Sequence, residues 1–222
     1  IKEFNCSIKF AVASLLNGMN DDSYEKYVSR NIDIHYLVKT QHDSYTEIAS
    51  RYLGNGDYFK KNLSKPNVRI NELNISGMLN PRRIVKANEF YEACNKLWQD
   101  IKLRINISEF SEILVLGTEE CMYPALFIAA NIADTGKSVK CHSTTRSPIA
   151  VSKEQEYPLH TRFELASLYD DDRTTYIYDI KKYDCVIIIS DSSNKSCIGI
   201  NSLANALIKC GNEKIHLIRW TK

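Results

Sequence analysis

Residues 185–189 read Cys-Val-Ile-Ile-Ile, and residues 113–116 read Ile-Leu-Val-Leu, directly before Gly117. Continuous apolar runs of this length are typical of strands in a parallel sheet that is covered on both faces. The second run is followed by an apolar segment, 124–135, whose pattern predicts a helix that ends at Gly136. A buried strand followed by a buried helix indicates an α/β protein.

The same alternation continues on both sides of these runs. An amphipathic helix is predicted over 85–103, strands over 138–142, 175–178 and 214–220, and a further helix over 201–209. The residues between the strands 138–142 and 175–178 are polar and predict a long loop. Strands that alternate with helices predict a doubly wound, mainly parallel, Rossmann-like sheet.

The N-terminal part of the chain has its own strand, helix, strand pattern. Residues 8–14 and 32–39 predict the strands, and the polar residues between them, through Arg30, predict the helix. The chain opens on Ile1 rather than Met, so we expect a piece of a longer protein that supplies a neighbouring strand. The predicted organisation is a unit at 1–53, a connector at 54–80 and an α/β domain at 81–222.

The composition excludes several function classes. Of the 222 residues, 44% are hydrophobic and 25% are charged, as in an ordinary globular protein. A formal net charge of +2 provides no strong overall field for nonspecific binding to nucleic acids or membranes. Seven cysteines without a CxxC pair predict reduced thiols. We therefore expect a water-soluble, cytoplasmic protein that recognises a charged ligand locally.

Polar residues follow the strand predicted before Gly117. Ligands of open α/β sheets bind at the carboxyl ends of strands, where helix N-termini offer free backbone N–H groups. Gly117 permits close backbone approach, Thr118 can cap the helix or bind an anion, and Glu119 and Glu120 can bind ligand hydroxyls or Mg²⁺. Helix capping with acidic residues in the first turn explains these residues equally well.

A second polar segment follows the next predicted strand and contains Thr144, Thr145, Arg146 and Ser147. Its hydroxyl groups surround a guanidinium that can bind phosphate or carboxylate through two parallel hydrogen bonds. A polar loop with one structural salt bridge is the alternative. We favour the anion site because the hydroxyl groups are denser than turn chemistry requires.

The third segment, Asp191-Ser192-Ser193-Asn194-Lys195, follows the most apolar strand and precedes a helix. This layout resembles the phosphoribosyl-diphosphate loop of type I phosphoribosyltransferases. Ser192 stands where those enzymes usually place a second acidic residue, and Cys197 where a glycine is expected. From the resemblance we expect Asp191 to contact the ribose or a metal, and the rest of the segment to bind the ligand.

Other candidate groups carry less weight. Arg173 and Tyr178 are expected to line the same pocket. Cys121, at a helix start, can have a lowered pKa, but we favour a small buried side chain as its interpretation. The five histidines have no zinc-site spacing, so the identity of any metal ligands stays open.

Two of these segments together resemble a known family. The chain is similar to the TRSP domain in Leu-Val-Leu-Gly-Thr-Glu-Glu-Cys-Met-Tyr-Pro-Ala at 114–125, in Ser-Thr-Thr-Arg-Ser-Pro-Ile at 143–149, and in Tyr-Ile-Tyr at 176–178. That family is named for a Thr-Arg-Ser-Pro signature, here residues 145–148. The resemblance covers residues 80–222.

The resemblance implies a phosphoribosyltransferase-like α/β domain that follows a phosphoribosyltransferase domain in bacterial proteins encoded with tellurium-resistance and stress-response genes. Residues 1–53 would then be the C-terminal end of that preceding domain. A role in making or salvaging a nucleoside-like metabolite is also implied. The family's signature positions fall on Gly117, Glu119, Glu120 and 144–147, which are within the segments chosen above.

The leading hypothesis is therefore a phosphoribosyltransferase-type protein that binds a phosphorylated ribose or nucleotide-like ligand. Residues 144–147 would hold phosphate, while Glu119, Glu120 and Asp191 are the candidate catalytic residues and Mg²⁺ the candidate cofactor. The expected partners are this ligand and the upstream domain or chain, without membrane or nucleic acid; a homo-oligomer stays open. The alternative is a noncatalytic nucleotide-sensing or docking module. A hydrolase that uses Cys121 or a carboxylate is a third, weaker hypothesis.

Overall fold

The computed structural model describes residues 9–40 and 45–222, so Cys6 and the predicted strand start at Ile8 lie outside the described residues. The chain forms two compact units, 1–53 and 54–222. No helix in the described part of the chain combines the length and the apolar character needed to cross a membrane.

The first unit has a strand, helix, strand arrangement. Its elements, in chain order, are β1 (Ala11–Asn17), α1 (Asp21–Val28), β2 (Asp33–Lys39) and α2 (Tyr45–Arg51). Strands β1 and β2 are parallel neighbours. Helix α1 begins after Asn20, whose side chain accepts a hydrogen bond from the Ser23 N–H at 2.9 Å. The predicted strand, helix, strand pattern is thus confirmed within the described residues.

The second unit is an α/β structure. Its elements, in chain order, are β3 (Asp57–Phe59), β4 (Ile70–Ser76), α3 (Ala87–Arg104), β5 (Glu112–Gly117), α4 (Met122–Ala133), β6 (Ser138–Ser143), β7 (Thr161–Ala166), β8 (Thr174–Tyr178), β9 (Cys185–Ser190), α5 (Ile198–Lys209) and β10 (Ile215–Thr221). Five strands form one sheet in the order β4-β10-β9-β5-β6, and neighbours pair in parallel. The carboxyl ends of these strands therefore lie at one edge of the sheet.

Helices cover both faces of the five-stranded sheet. Ile187 and Ile189 in β9 belong to an apolar cluster with residues of α3 and α4, whereas Val186 and Ile188 belong to another cluster with residues of α5. Successive residues of a strand face opposite sides of the sheet, and all four side chains are fully buried. This two-sided burial explains the continuous apolar run, and the predicted doubly wound, mainly parallel sheet is confirmed.

A smaller sheet has the strand order β3-β7-β8, with β7 and β8 antiparallel, and it corrects two predictions. The polar loop predicted after β6 contains β7, in which Phe163 and Leu165 are buried while Arg162 and Glu164, at the alternate positions, are half-buried. The predicted connector at 54–80 contributes β3 to this sheet and β4 to an edge of the larger sheet. A short strand with charged residues at alternate positions has a low average hydrophobicity and no continuous apolar run, so the sequence does not identify it as a strand.

The direction of the chain through the larger sheet reverses between β5 and β9. From β5 the chain passes through α4 to β6 on one side, and from β9 it passes through α5 to β10 on the other side. Helices α4 and α5 belong to different apolar clusters and therefore cover opposite faces. Loops that diverge in this way leave a crevice at the strand ends, which is where open α/β sheets bind ligands.

Candidate functional site

A cleft of about 920 Å³ opens within the second unit at the carboxyl edge of the larger sheet. Its volume lies in the range of small-molecule sites. Residues that follow β5 and β9 form part of its wall, which places it at the point where the chain direction reverses. The charged side chains that line it are those of Arg82, Glu120, Arg173, Asp191 and Lys222.

Asp191 lies at the centre of the polar contacts in this cleft, and its side chain is 4% exposed. One carboxylate oxygen accepts a hydrogen bond from the Tyr169 hydroxyl at 2.5 Å, and the other accepts one from the Arg82 guanidinium at 2.6 Å. The hydrogen bond to Asp191 raises the pKa of Arg82, and burial raises the pKa of Tyr169. Arg82 is therefore a fixed cation, and Tyr169 is a neutral donor.

An alternating series of charges crosses the strand-end loops. Arg82 lies 3.8 Å from Glu120, which also binds the Arg146 guanidinium. Arg146 lies 3.9 Å from Glu119, which lies 3.4 Å from Arg173. We name this group the ion-pair chain, with the members Asp191, Arg82, Glu120, Arg146, Glu119 and Arg173. Its three carboxylates and three guanidinium groups neutralise one another.

Gly117 and Thr118 hold the end of β5 close to the end of the neighbouring strand β9. The buried Thr118 hydroxyl lies 2.9 Å from the Ser190 hydroxyl and 3.0 Å from that of Tyr169. A Cβ atom at Gly117 would lie 2.6 Å from the Cys121 carbonyl oxygen, so only glycine fits without a shift of the backbone. Both residues hold the turn after β5 close to the neighbouring strand.

The loop after β6 is held mainly by its own polar groups. The buried Thr144 hydroxyl accepts a hydrogen bond from the Glu119 N–H at 3.0 Å. The Thr145 N–H donates to the Tyr176 carbonyl oxygen at 2.9 Å, and the Tyr176 N–H donates back at 2.7 Å. These hydroxyl and backbone groups fix the loop beside the turn that contains Glu119.

The rest of this loop is tied to β8. The Tyr178 hydroxyl donates to the Ser147 carbonyl oxygen at 2.6 Å and accepts from the Ile149 N–H at 2.7 Å. Burial raises the pKa of Tyr178, which is consistent with a structural hydroxyl group. Arg146 is the member of the predicted phosphate group whose side chain is exposed and belongs to the ion-pair chain.

The loop after β9 contains a regular series of turns. Four side chains each accept a hydrogen bond, at 2.9–3.3 Å, from the N–H two residues further on, and they are those of Ser190, Ser192, Asn194 and Ser196. We name this series the turn ladder. Within residues 54–222, the N–H groups of Ser193 and Lys195 make no hydrogen bond, and the Lys195 ammonium has no ion-pair partner.

The comparison with family models decides the relationship of this chain to known proteins. A model described as "TRSP domain C terminus to PRTase_2" matches residues 83–207, which is more than half of the chain. The chain belongs to the TRSP domain family. The match confirms the resemblance seen in the segments 114–125 and 143–149. No curated protein and no solved structure matched the chain.

The TRSP cleft brings together some of the predicted site residues and leaves others beside it. Those in the cleft wall are Glu120, Arg173, Asp191, Ser192 and Ser193. Those outside the wall are Gly117, Thr118, Glu119, Thr144, Thr145, Arg146, Ser147, Tyr178, Asn194 and Lys195. Asn194 donates instead to the Asp171 carboxylate at 3.1 Å. The ligand contacts of all these residues stay predictions.

Two residues at the centre of the TRSP site, Arg82 and Tyr169, were not predicted. Arg82 follows β4, in which residues 72–76 alternate in polarity as Glu-Leu-Asn-Ile-Ser. This alternation predicts a strand once it is read with a period of two, and Arg82 then falls in a strand-end loop. Tyr169 has no such signal, because it reaches Asp191 through a contact between distant parts of the chain.

The donor set of the TRSP site does not provide a ready metal site. Among the described residues, no group of three or more His, Cys, Asp and Glu side chains could hold a metal ion. The carboxylates of Glu119, Glu120 and Asp191 each face a guanidinium group. Since Mg²⁺ is usually held by one or two carboxylates together with substrate phosphates, its binding here stays a prediction that depends on a ligand.

We expect the cysteines of the TRSP domain to differ sharply in alkylation. Burial raises the pKa of Cys94 to about 11 and that of Cys185 to about 12, and it also raises the pKa of the buried Cys121 thiol. Iodoacetamide should therefore label the exposed Cys197 in the native protein, label Cys141 more slowly because burial also raises its pKa, and spare these three until the protein is denatured. Mass spectrometry of the peptides measures this. Rapid native labelling of Cys121 would favour the hydrolase hypothesis instead.

Proposed function

We propose that this TRSP domain binds a phosphorylated ribose or nucleotide-like ligand in its cleft, as part of a phosphoribosyltransferase-associated protein. The observation that carries the proposal is the pairing of Arg82 with Asp191 at the point where the chain direction reverses. A partly exposed cation and a buried acceptor lie side by side there. This combination suits a ligand that carries both a phosphate and hydroxyl groups.

Arg82 is the group best placed to contact the phosphate. Its side chain is 43% exposed and lines the cleft, so donors that do not face Asp191 can reach a ligand. The Ser193 and Lys195 N–H groups lie in the loop that leads to the N-terminus of α5, where an anion is stabilised. Arg146 could supply a second guanidinium by exchanging Glu120 for the phosphate.

The carboxylates suit the hydroxyl groups of the ribose. Glu120 is exposed and lines the cleft beside Asp191, so both can accept hydrogen bonds from a diol. In a phosphoribosyl transfer, the bond between C1 of the ribose and the leaving diphosphate breaks as a bond to the acceptor nitrogen forms. Nearby carboxylates would stabilise the positive charge that develops on the sugar, and the arginines would orient the leaving group.

Residues 1–53 are assigned by this proposal to the end of a phosphoribosyltransferase-like domain. The described residues of this unit form a two-stranded parallel sheet, which is marginal by itself, and parallel sheets are normally covered on both faces. Leu15 in β1 and Leu37 in β2 are 76% and 78% exposed. The family description, which places the TRSP domain C-terminal to PRTase_2, supports an upstream domain as the partner that covers them.

A ligand screen with matched variants tests the proposed function. Phosphoribosyl diphosphate, ribose 5-phosphate and nucleotides, each with and without Mg²⁺, should raise the melting temperature of the whole chain, because they bind the native state. We expect Arg82→Ala to weaken binding of the stabilising ligand about tenfold or more, since a charge-assisted contact is lost. Titration calorimetry measures the change.

Arg69→Ala is the control, because Arg69 is exposed and lies outside the cleft wall. Equal affinities of wild type, Arg82→Ala and Arg146→Ala would contradict the assignment of the phosphate contact. The absence of any shift with every phosphorylated ligand would contradict the proposed function.

A noncatalytic nucleotide-sensing or docking module is the second candidate. It is favoured by the buried Cys121 thiol, whose pKa is raised by burial, and by the pairing of every site carboxylate with an arginine. Neither group is poised as a nucleophile or a general base. Ligand binding without release of diphosphate from phosphoribosyl diphosphate would support this candidate over a transferase.

A further inference from the structure

Glu119 has an unusual position in the turn after β5. Its backbone φ is 47°, a left-handed conformation that strains a residue with a side chain of this length. The side chain is 2% exposed and contributes nothing to the cleft wall. A buried carboxylate in a strained turn lowers the free energy of unfolding. The contacts that Glu119 makes therefore indicate its role in the site.

The first contact of Glu119 is with the loop between β7 and β8, residues 167–173. The Ser167 hydroxyl donates to one carboxylate oxygen of Glu119 at 2.5 Å and accepts from the Tyr169 N–H at 2.9 Å. The Ser167 N–H donates to the Arg173 carbonyl oxygen at 2.9 Å, which closes the loop. Glu119 therefore holds the start of the loop that carries Tyr169 to the cleft.

The second contact is with Arg173, at the end of the same loop. The other carboxylate oxygen of Glu119 lies 3.4 Å from the nearest Arg173 nitrogen. That oxygen and Nε of Arg173 are buried and have no hydrogen-bond partner among the residues that the structure describes. Attraction between opposite charges, rather than a directed hydrogen bond, therefore holds the guanidinium where it lines the cleft.

The residue before Glu119 supports the middle of the loop. The Tyr169 hydroxyl donates to Asp191 and also lies 3.0 Å from the Thr118 carbonyl oxygen, so the two acceptors share its single hydrogen. The turn after β5 thus holds the loop 167–173 at its start, its middle and its end. The cleft-lining side chains of this loop, Tyr169 and Arg173, are placed by a turn whose Glu119 does not itself line the cleft.

We propose that Glu119 is a positioning residue for the ligand site, which sets Tyr169 and Arg173 in the cleft wall without touching the ligand. Its hydrogen bond through Ser167 sets Tyr169, and its charge sets Arg173. Tyr169 in turn orients Asp191, and Arg173 supplies a cation for the phosphate. The inference rests on the proposed function for the identity of the ligand, but the positioning itself concerns the protein alone.

Hydrogen exchange and ligand binding test the inference on the whole chain. In Glu119→Ala we expect exchange of the amides at 167–173 to rise about tenfold or more, because the loop loses both of its contacts with Glu119, while exchange in β9 stays at the wild-type rate. Ser167→Ala should raise exchange of the Tyr169 amide. Glu119→Gln keeps an acceptor for Ser167 and should leave that amide protected. The affinity of Glu119→Ala for ribose 5-phosphate should fall about fivefold or more.

Glu213→Gln is the matched control, since Glu213 is exposed and makes no ion pair within residues 54–222. The inference is overturned if the amides at 167–173 of Glu119→Ala exchange at the wild-type rate. It is also overturned if exchange rises equally throughout the second unit, because such a rise indicates a general loss of stability rather than a loss of positioning in this loop. If Glu119→Ala does not fold, Glu119→Gln decides, because it keeps an acceptor for Ser167 and removes the charge that holds Arg173. Wild-type exchange of the Arg173 amide in Glu119→Gln then overturns the inference. A wild type that binds no phosphorylated ligand contradicts the proposed function, while the exchange data still decide the positioning.

Discussion

Replacement of Asp191 by alanine is expected to lower the free energy of unfolding by about 2 kcal/mol, because two hydrogen bonds to a buried carboxylate are lost. The loss is limited because the Tyr169 hydroxyl keeps the Thr118 carbonyl oxygen as an acceptor and the exposed Arg82 can turn toward Glu120. The affinity for a phosphorylated ligand should also fall, by about thirtyfold or more, since Arg82 loses the carboxylate that fixes its position in the cleft and an acceptor for the ligand disappears.

Chemical denaturation and calorimetric titration measure the two effects of this substitution. Asp191→Asn keeps the shape of the side chain but removes its charge. Tyr169 and Arg82 both donate to Asp191, so the NH2 group of the amide would face one of these two donors. This variant should also lose ligand affinity. Asp172→Asn, in an exposed loop nearby, is the control and should change neither quantity. Full binding by Asp191→Ala would show that the ligand site does not depend on this carboxylate.

Gly199→Ala is expected to destabilise the second unit by about 2 kcal/mol, as overpacking does in well-packed interiors. Replacement of glycine by alanine inside a helix usually raises the free energy of unfolding by about 0.5–1 kcal/mol, so the effect expected here has the opposite sign. A Cβ atom at Gly199 would lie 2.4 Å from the Ser167 carbonyl oxygen and 2.8 Å from Cα of Leu168. Either α5 or the loop 167–173 must therefore move.

Thermal and chemical unfolding give the size of this effect. Asn201→Ala, two positions further along the helix and partly exposed, is the control and should change stability by a few tenths of a kcal/mol. If Gly199→Ala proved more stable than the wild type, the close approach of α5 to Ser167 would be wrong. Ligand affinity should fall with stability, because the moved loop carries Tyr169.

Much of the larger sheet could be predicted because strands that are buried on both faces have continuous apolar runs in the sequence. The central strands β5 and β9 have apolar residues at successive positions, and the helices α3 and α5 have apolar residues at helical spacing. The strand-end rule then located Asp191 and Glu120, which line the cleft. These features are local, so one stretch of chain suffices to recognise them.

The features that were missed depend on contacts between distant segments. Strand β4 lies at an edge of the sheet and β7 in a small sheet, so each alternates polar and apolar residues and has no apolar run. Arg82 and Tyr169 enter the site from 109 and 22 positions away from Asp191. The dense hydroxyl groups of Thr144 and Thr145 favour an anion site in the sequence, yet in the structure both also accept backbone hydrogen bonds that hold the loop.

The turn ladder after β9 has a consequence for how this loop can change in length. Its hydrogen bonds join residues two apart, so even-numbered N–H groups are committed while those of Ser193 and Lys195 stay available. Insertion of one residue between Ser192 and Asn194 would place a new N–H two positions after Ser192 and leave the Asn194 N–H without its acceptor, while the pairs on either side would persist. Related domains that keep the ladder should therefore differ in length outside residues 190–198 rather than within them.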